Sequence, residues 1–315
     1  MSLPEQLRGR LRLPVVAAPM FLASGPDLVV ETCRAGALGT FPALNQRSTE
    51  GYGDWLSEIA ARLAEIAAAG GPAPAPFGVN LIAHRTNPRL AADLEMTVRH
   101  KVPVVITSLG AVPELVEAVH GYGGLVFHDV ISLRHARKAA VAGVDGIIAV
   151  CAGAGGHAGR MSPFALSSEI RAFFDGTLLL AGALNTGAHV AAARAMGADL
   201  AYMGTRFIAT REAMSPPAHK AMILAASASD VLYTDRISGV HANFLRDSIL
   251  AAGLDPDALP AHEGLDMAAD VKAWKTIWSA GEGVGGISDL PGAAALCARI
   301  GAEYRAALAG VLADP

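Results

Sequence analysis

Eight short apolar segments recur along most of the chain, and helix-forming segments lie between nearly all of them. Because each segment is apolar on both faces, it is typical of a parallel strand that is covered by helices on both sides. Eight such strands favour an α/β fold of the (β/α)8 TIM-barrel type. The predicted strands are residues 15–19, 37–41, 77–81, 103–107, 124–128, 145–150, 178–182 and 199–203. Predicted helices include residues 88–100, 112–120, 133–142, 163–174 and 188–196.

The pattern changes after the eighth predicted strand. Residues 206–280 contain apolar helical stretches at 217–226 and 267–279 and an irregular stretch, YTDRISGVHANFL. We predict a single domain over residues 1–315 in which a helical insertion at about 206–280 covers one end of the barrel as a lid. A last helix at about 291–312 would close the barrel wall.

Composition excludes several classes of protein. The 315 residues are 52% hydrophobic and 17% charged, which is typical of a globular chain rather than a disordered one. A net charge of −4 gives no electrostatic footprint for nucleic acid. The three cysteines lie far apart without a CxxC pair, and no ligand cluster has the spacing of a metal site. With no apolar signal segment at the N-terminus and no membrane span, we expect a cytoplasmic protein.

One stretch, CAGAGGHAGRMSPFAL, is open to two interpretations. Gly153, Gly155 and Ala158 match a GxGxxA pattern after a strand, as in a dinucleotide-binding loop. That loop requires a helix to begin inside the motif, whereas the next helix start, Ser162-Pro163, comes several residues later. The alternative is an active-site loop in which glycines make room for a ligand beside His157. A second match, in SAGEGVGG, follows a helical segment and predicts a flexible loop.

The loops after the seventh and eighth strands are candidates for a phosphate site. In TIM barrels these two loops often hold a ligand phosphate with backbone amides. Gly182 and Gly204 allow close approach of a ligand, and Thr205 adds a hydroxyl where a short helix would start. Two ordinary turns would show the same residues. A cofactor phosphate held there would lay its ring across the barrel mouth.

Several of these motifs together resemble the flavin-dependent nitronate monooxygenases. They are APM at 18–20, GALGT at 36–40, FGVNL at 77–81, AGGHAG at 154–159, MGTRFIAT at 203–210 and SAGEGVG at 279–285. The resemblance implies a TIM barrel that binds FMN and oxidises a nitronate with O2 to a carbonyl compound and nitrite. It implies that His157 is the catalytic base. The implied partners are a small nitronate or nitroalkane and O2, and a homodimer is left open.

The same resemblance, with position in the predicted barrel, suggests which residues contact ligands. The expected FMN contacts are Ala18, Pro19, Met20, Asn80, His128, Val150, Ala154, Gly155, Gly156, Gly182, Ala183, Leu184, Met203, Gly204 and Thr205. His241 and Ser279 are candidates for the substrate side. Asp129, next to His128, could face the active site or cap a helix.

The chain also departs from the family pattern. Many members have Gln where this chain has Val150, Glu where it has Gly153, and a second turn glycine where it has Ala183. These changes leave the substrate open. The alternative function is that of the FMN-dependent enoyl-ACP reductases, which share the AGGH motif and consume NAD(P)H. Cys151 has no basic neighbour in sequence and is expected to be a packing residue rather than a nucleophile.

Overall fold

Eight parallel strands close into a barrel in the computed structural model, which describes residues 3–261 and 276–313. Each strand pairs with its neighbour in chain order, and β1 closes the barrel on the last strand through pairs such as Val16 with Tyr202. The TIM-barrel prediction is confirmed. The barrel strands are β1 (Val15–Ala17), β2 (Leu38–Pro42), β3 (Phe77–Ile82), β4 (Val104–Ser108), β5 (Leu125–Val130), β6 (Gly146–Val150), β8 (Thr177–Ala181) and β9 (Leu200–Met203).

Helices alternate with these strands and cover the barrel. They are α1 (Pro26–Arg34), α2 (Thr49–Ala68), α3 (Leu90–Arg99), α4 (Pro113–His120), α5 (Leu133–Val141), α6 (Pro163–Arg171), α7 (Gly187–Ala195), α8 (Thr205–Ile208), α9 (Pro217–Ala225), α10 (Arg246–Ala251) and α11 (Ala293–Ala313). In the described residues, no helix combines the length and apolar character that crossing a membrane requires.

The barrel interior is a packed apolar core. Alternate residues of the strands point inward, among them Leu125 and Phe127 of β5 and Ile148 of β6, all nearly or fully buried. The opposite faces pack against the helices in a second, larger cluster. Side chains therefore fill the barrel up to its carboxyl-terminal mouth, where a ligand site can form.

Two of the turns that lead from a helix into the next barrel strand contain a glycine. Gly143 and Gly197 both have positive φ, at 82° and 91°, which glycine adopts without strain. The aspartate two residues after each glycine accepts a backbone N–H of the preceding strand: Asp145 from Val126 and Asp199 from Leu178. The repeated sequence GxD thus joins each turn to its neighbouring strand.

The last helix, α11, completes the wall by packing against α7 and α1. Its approach to α7 is so close that a Cβ on Gly187 would lie 2.2 Å from the backbone nitrogen of Tyr304. Glycine is therefore required at the start of α7, and the predicted role of the C-terminal helix agrees with the structure.

After the eighth barrel strand, α9 forms at the position of the predicted helix 217–226. The irregular stretch, however, forms a hairpin of β10 (Val231–Thr234) and β11 (Ala242–Leu245). The hairpin joins β7 (Gly156–His157) in a three-stranded antiparallel sheet. Of the predicted helix at 267–279, residues 267–275 lie outside the described residues.

Candidate active site

A cavity of about 1130 Å³ opens at the carboxyl ends of the barrel strands. All the residues expected from the sequence to contact cofactor or substrate line it, with the exception of Met203. The Met203 side chain is buried in the core between strands and helices, and its carbonyl accepts the Ala18 N–H. The structure therefore brings the predicted contact residues together around one cavity, except Met203, which contacts the Ala18 backbone instead.

The wall next to β1 is held by polar contacts from two loops. Ala18, Pro19 and Met20 follow β1 directly. The Met20 N–H donates to the Ser24 hydroxyl at 3.0 Å, and the Asn45 side-chain amide donates to the Met20 carbonyl at 3.0 Å. These contacts fix the backbone of the Ala-Pro-Met segment against the cavity.

A second wall is built almost entirely of small residues. Gly182 has a φ of 142°, and its Cβ would lie 2.7 Å from the Ala152 carbonyl oxygen. A Cβ on Gly155 would lie 2.8 Å from the Gly281 nitrogen. Ala183 adopts a left-handed φ of 52° without being a glycine. We call residues 153–155, 182–184, 204–205 and 281–286 the glycine wall, because their loops can approach one another this closely only where glycine lacks a side chain.

The second glycine motif is part of this wall. Residues Glu282–Gly286 form a 3-10 helix rather than an open loop. The Glu282 N–H donates to the Gly153 carbonyl at 2.9 Å, and the Gly281 N–H donates to the Thr205 hydroxyl at 2.8 Å. The segment predicted as a flexible loop is therefore packed between the loops that follow β6 and β9.

His157 lines the same cavity, two residues after the segment 153–155 of the glycine wall, in the two-residue strand β7. Its loop is held by the insertion. Ala242 pairs with His157 across the sheet, and the Asn243 side-chain amide donates to the Ala154 carbonyl at 2.6 Å. The Ser279 hydroxyl accepts the Gly156 N–H at 2.5 Å and donates to the Asn243 carbonyl at 2.6 Å. Ser279, expected near substrate, thus positions the histidine loop.

The environment of His157 favours the neutral imidazole. The side chain is exposed to the cavity, but protein surrounds that cavity. Burial lowers the pKa of His157 below its usual value of 6.5, because removing water disfavours the charged form. A neutral imidazole can accept a proton near pH 7. The geometry therefore permits His157 to act as a base toward a ligand in the cavity.

His128 also lines the cavity but is deeply buried, with 6% of its surface exposed. Its Nδ1 lies 2.7 Å from the Thr107 hydroxyl. Burial lowers the pKa of His128 to about 4, so the ring is uncharged at neutral pH. This places His128 at the ligand site, as expected, but as a neutral polar group.

The insertion contributes further rings. His241 lines the cavity and stacks on Tyr233 with 5.0 Å between ring centroids. The Tyr233 hydroxyl donates to the Ala158 carbonyl at 3.0 Å, next to His157. His219 is buried, stacks on Trp278 and lines the cavity. No local sequence pattern indicates these contacts, because they join segments far apart in the chain.

Sequence reasoning left Asp129 open and missed Ser108 and Tyr202, all of which line the cavity. The helix cap of α5 is Ser132, whose hydroxyl accepts the His135 N–H, so Asp129 is not the cap. Strand alternation could have found Asp129 and Tyr202, because each lies two residues after an inward-facing core residue.

Two other functions receive no support from the site. Cys151 is fully buried, and burial raises the pKa of its thiol to about 12, so the nucleophilic thiolate does not form at neutral pH. Within residues 3–261 and 276–313, no cluster of three potential ligands could hold a metal ion.

Comparison with known families decides the family. The sequence model of the nitronate monooxygenase family matches residues 9–274. The chain belongs to the nitronate monooxygenase family. This is a family of FMN-dependent oxidoreductases, so family membership implies FMN as the cofactor, and the AGGH, APM and MGTRF motifs now fall in a common site.

Individual relatives differ in their reactions. A nitronate monooxygenase of Paraburkholderia phytofirmans is 28% identical over 77% of this chain and 76% of its own length. A 5-hydroxy-7a-methyl-1-oxo-octahydro-1H-indene-4-carboxyl-CoA dehydrogenase of Mycobacterium tuberculosis is 30% identical over 75% of this chain. The chain spans only 41% to 64% of the lengths of three curated relatives. The family is therefore shared by proteins with different substrates.

The solved structure of a nitroalkane oxidase from Streptomyces ansochromogenes has the same fold. It superposes with a TM-score of 0.83, covers 98% of this chain and 100% of its own, and is 24% identical. This likeness supports the barrel fold.

Proposed function

We propose that this protein is an FMN-dependent nitronate monooxygenase. It oxidises alkyl nitronates with O2 to a carbonyl compound and nitrite, and it also accepts neutral nitroalkanes once their acidic C–H is deprotonated. The observation that carries the proposal is the position of His157, a neutral imidazole that lines the same cavity as the glycine wall.

The glycine wall fits the phosphate end of FMN. Backbone amides in the loops after β8 and β9 can bind phosphate oxygens, and Thr205 can add its hydroxyl. A Cβ at Gly155 or Gly182 would clash with neighbouring backbone of the same wall, so the close packing of these loops depends on glycine. Ala18 to Met20, Asn80 and Val150 then border the space for the flavin ring. Bound FMN supplies the electron acceptor that O2 reoxidises.

The residues of the chain prepare the substrate for this chemistry. A neutral nitroalkane loses the proton on the carbon next to the nitro group to the His157 imidazole, and the electron pair of the broken C–H bond remains on the nitronate. A preformed nitronate needs no such step, and the resulting imidazolium or neutral ring can hold it by hydrogen bonding. The insertion keeps the loop in register through Asn243 and Ser279.

The test is nitrite release from alkyl nitronates under air. The purified protein should be yellow, should release FMN on denaturation, and should form nitrite with O2 consumption in the absence of NAD(P)H. A colourless protein that cannot be reconstituted with FMN would contradict the cofactor assignment. FMN binding without nitrite from any alkyl nitronate or from propionate 3-nitronate would contradict the reaction.

Oxidation or reduction of a thioester-linked substrate is the second candidate. The relative that acts as a carboxyl-CoA dehydrogenase is 30% identical, and the cavity is large. An enoyl-ACP reductase-like activity would consume NAD(P)H in the presence of an enoyl thioester. Substrate-dependent NAD(P)H oxidation, together with absence of nitrite release from nitronates, would favour this class.

A further inference from the structure

Three polar side chains form a hydrogen-bonded chain across adjacent strands at the barrel mouth. The Asn80 side-chain amide on β3 donates to the Ser108 hydroxyl on β4 at 2.8 Å. The Ser108 hydroxyl donates its own hydrogen to Oδ2 of Asp129 on β5 at 2.5 Å. All three residues line the cavity. Both hydrogen bonds run toward the carboxylate, because Asn80 donates to Ser108 and Ser108 donates to Asp129.

Asp129 lies at the boundary between the apolar core and the cavity. Phe127, two residues earlier on the same strand, is inside the barrel core. The pairing partner of Asp129 on β6 is the apolar Ile148. From β9 the titratable group that faces it is Tyr202, and from the loop after β4 it is approached by the Leu109 N–H. Among the described residues, no lysine or arginine forms an ion pair with it. Its hydrogen-bond donors are the Ser108 hydroxyl and the Leu109 N–H.

These surroundings change the acidity of Asp129. Burial raises the pKa of its carboxyl to about 6, while the Ser108 hydroxyl and the Leu109 N–H act in the opposite direction. The ionised form therefore predominates at pH 8 and the protonated form at pH 5. Such a group changes its charge within the range in which enzymes are commonly assayed.

We propose that Asp129 is a second titratable residue of the active site, which faces the FMN-binding space and controls how much negative charge that space accepts. Reduction of FMN adds negative charge, and a nitronate substrate is an anion. An ionised carboxylate in a partly desolvated cavity opposes both by Coulomb repulsion, and a protonated one does not. The inference uses one part of the proposed function, namely that FMN occupies this cavity.

The direction of the pH effect follows from the charge. Above its pKa, ionised Asp129 weakens binding of reduced FMN relative to oxidised FMN and lowers the midpoint potential. Below its pKa the effect disappears. Other titratable side chains line the same cavity, so the wild-type profile alone does not isolate Asp129; these are His128, His135, Lys138, His157, His219 and His241. Comparison with a variant that lacks the carboxylate does isolate it.

The experiment measures the midpoint potential of bound FMN by spectroelectrochemistry at pH 5 and pH 8. At pH 8, Asp129→Asn should favour reduced over oxidised FMN about tenfold more than wild type does, which is about 30 mV for a two-electron couple. At pH 5 the two proteins should agree within about twofold. Asp54→Asn, which removes an exposed carboxylate on α2, is the matched control and should follow wild type at both pH values. Equal potentials of Asp129→Asn and wild type at pH 8, or the same difference at both pH values, would overturn the proposal.

A second variant covers the case in which Asp129→Asn does not fold. Ser108→Ala keeps the carboxylate but removes a donor that stabilises its ionised form, so it moves the transition in potential to higher pH. A profile identical to wild type would overturn the proposal. Neither measurement uses a nitronate. If the potentials shift as expected but no nitronate is oxidised, the proposed reaction is wrong and the role of Asp129 stands. If nitrite is released but the potentials do not shift, the proposed reaction stands and the role of Asp129 is wrong.

Discussion

The two sides of the cavity are built by different means. The glycine wall is formed by backbone, and its shape depends on the absence of side chains at positions such as Gly155 and Gly281. The His157 side depends on a few side-chain hydrogen bonds from a distant insertion, chiefly those of Asn243 and Ser279. Changes in the first region should therefore affect FMN binding, and changes in the second should affect turnover.

The largest effect is expected on the affinity for FMN, for a substitution in the second glycine motif. A Cβ on Gly281 would lie 2.6 Å from the Gly153 carbonyl oxygen and 2.9 Å from the Gly155 nitrogen, both backbone atoms that cannot move independently. Overpacking of this kind costs about 1–3 kcal/mol. Gly281→Ala should therefore raise the Kd of FMN about tenfold or more, as measured by fluorescence titration.

Gly285, in the 3-10 helix that directly follows Gly281, supplies the control. A Cβ there would meet nothing closer than 3.8 Å, and its φ is not in the left-handed region. Gly285→Ala should leave the Kd of FMN unchanged. Equal effects of the two substitutions would show that the wall is not a close-fitting cradle.

The histidine side should respond in turnover. Ser279→Ala removes the acceptor of the Gly156 N–H and the donor to the Asn243 carbonyl. A partly buried amide left without its partner costs about 1–3 kcal/mol, and small displacements of a catalytic group can cost two orders of magnitude in rate. We expect kcat on nitroalkanes to fall about tenfold while the Kd of FMN changes less than about threefold.

Ser168→Ala is the matched control, because Ser168 is exposed on α6 and its hydroxyl bonds only to carbonyls of its own helix. It should leave both quantities unchanged. Loss of FMN affinity in Ser279→Ala, equal to its loss of turnover, would remove the distinction between the two sides of the cavity.

A smaller effect is expected in the pKa of His157, which belongs to the same region as Ser279. Its pKa lies below 6.5 in the folded protein, so the neutral base is already the major form at pH 6.5. An unshifted histidine would be half protonated there. NMR titration of the imidazole, assigned by its loss in a His157→Asn variant, should give a midpoint below 6.5. A midpoint above 6.5 would mean that solvent in the cavity, rather than burial, determines the pKa of the imidazole.

The smallest effect is expected at Ala183 in the glycine wall. Its left-handed φ of 52° is strained for a residue with a Cβ. Ala183→Gly should raise the free energy of unfolding by about 0.5–1 kcal/mol in urea denaturation. Ala142→Gly, at a C-cap with an ordinary φ of −71°, should lower it by a similar amount. The same sign for both would indicate that the wall is not under local strain.

The two regions also differ in how far the sequence predicts them. The barrel strands were recognisable because each is a local apolar run between turn residues, and Gly143 and Gly197 mark turns through their backbone needs alone. The glycine wall was likewise visible as motifs. In contrast, a two-residue strand such as Gly156–His157 has no local signal, and its partner Ala242 lies far along the chain. The hairpin within the insertion and its contact with His157 therefore required the structure.

Asp129 falls between these cases. Its position follows from strand alternation, which is a local rule, but its raised pKa depends on burial and on the Ser108 and Leu109 donors. Sequence reasoning can therefore propose such a residue as a candidate, whereas its chemistry depends on the tertiary structure.

The most direct test of the account compares neutral nitroalkanes with preformed nitronates in wild type and His157→Asn. If His157 is the base, the substitution should reduce kcat/KM for the nitroalkane by at least about a hundredfold, within the range for loss of general base catalysis. The nitronate, which needs no deprotonation, should lose much less, and FMN should remain bound. Equal loss on both substrates would contradict the assignment of His157 as the base.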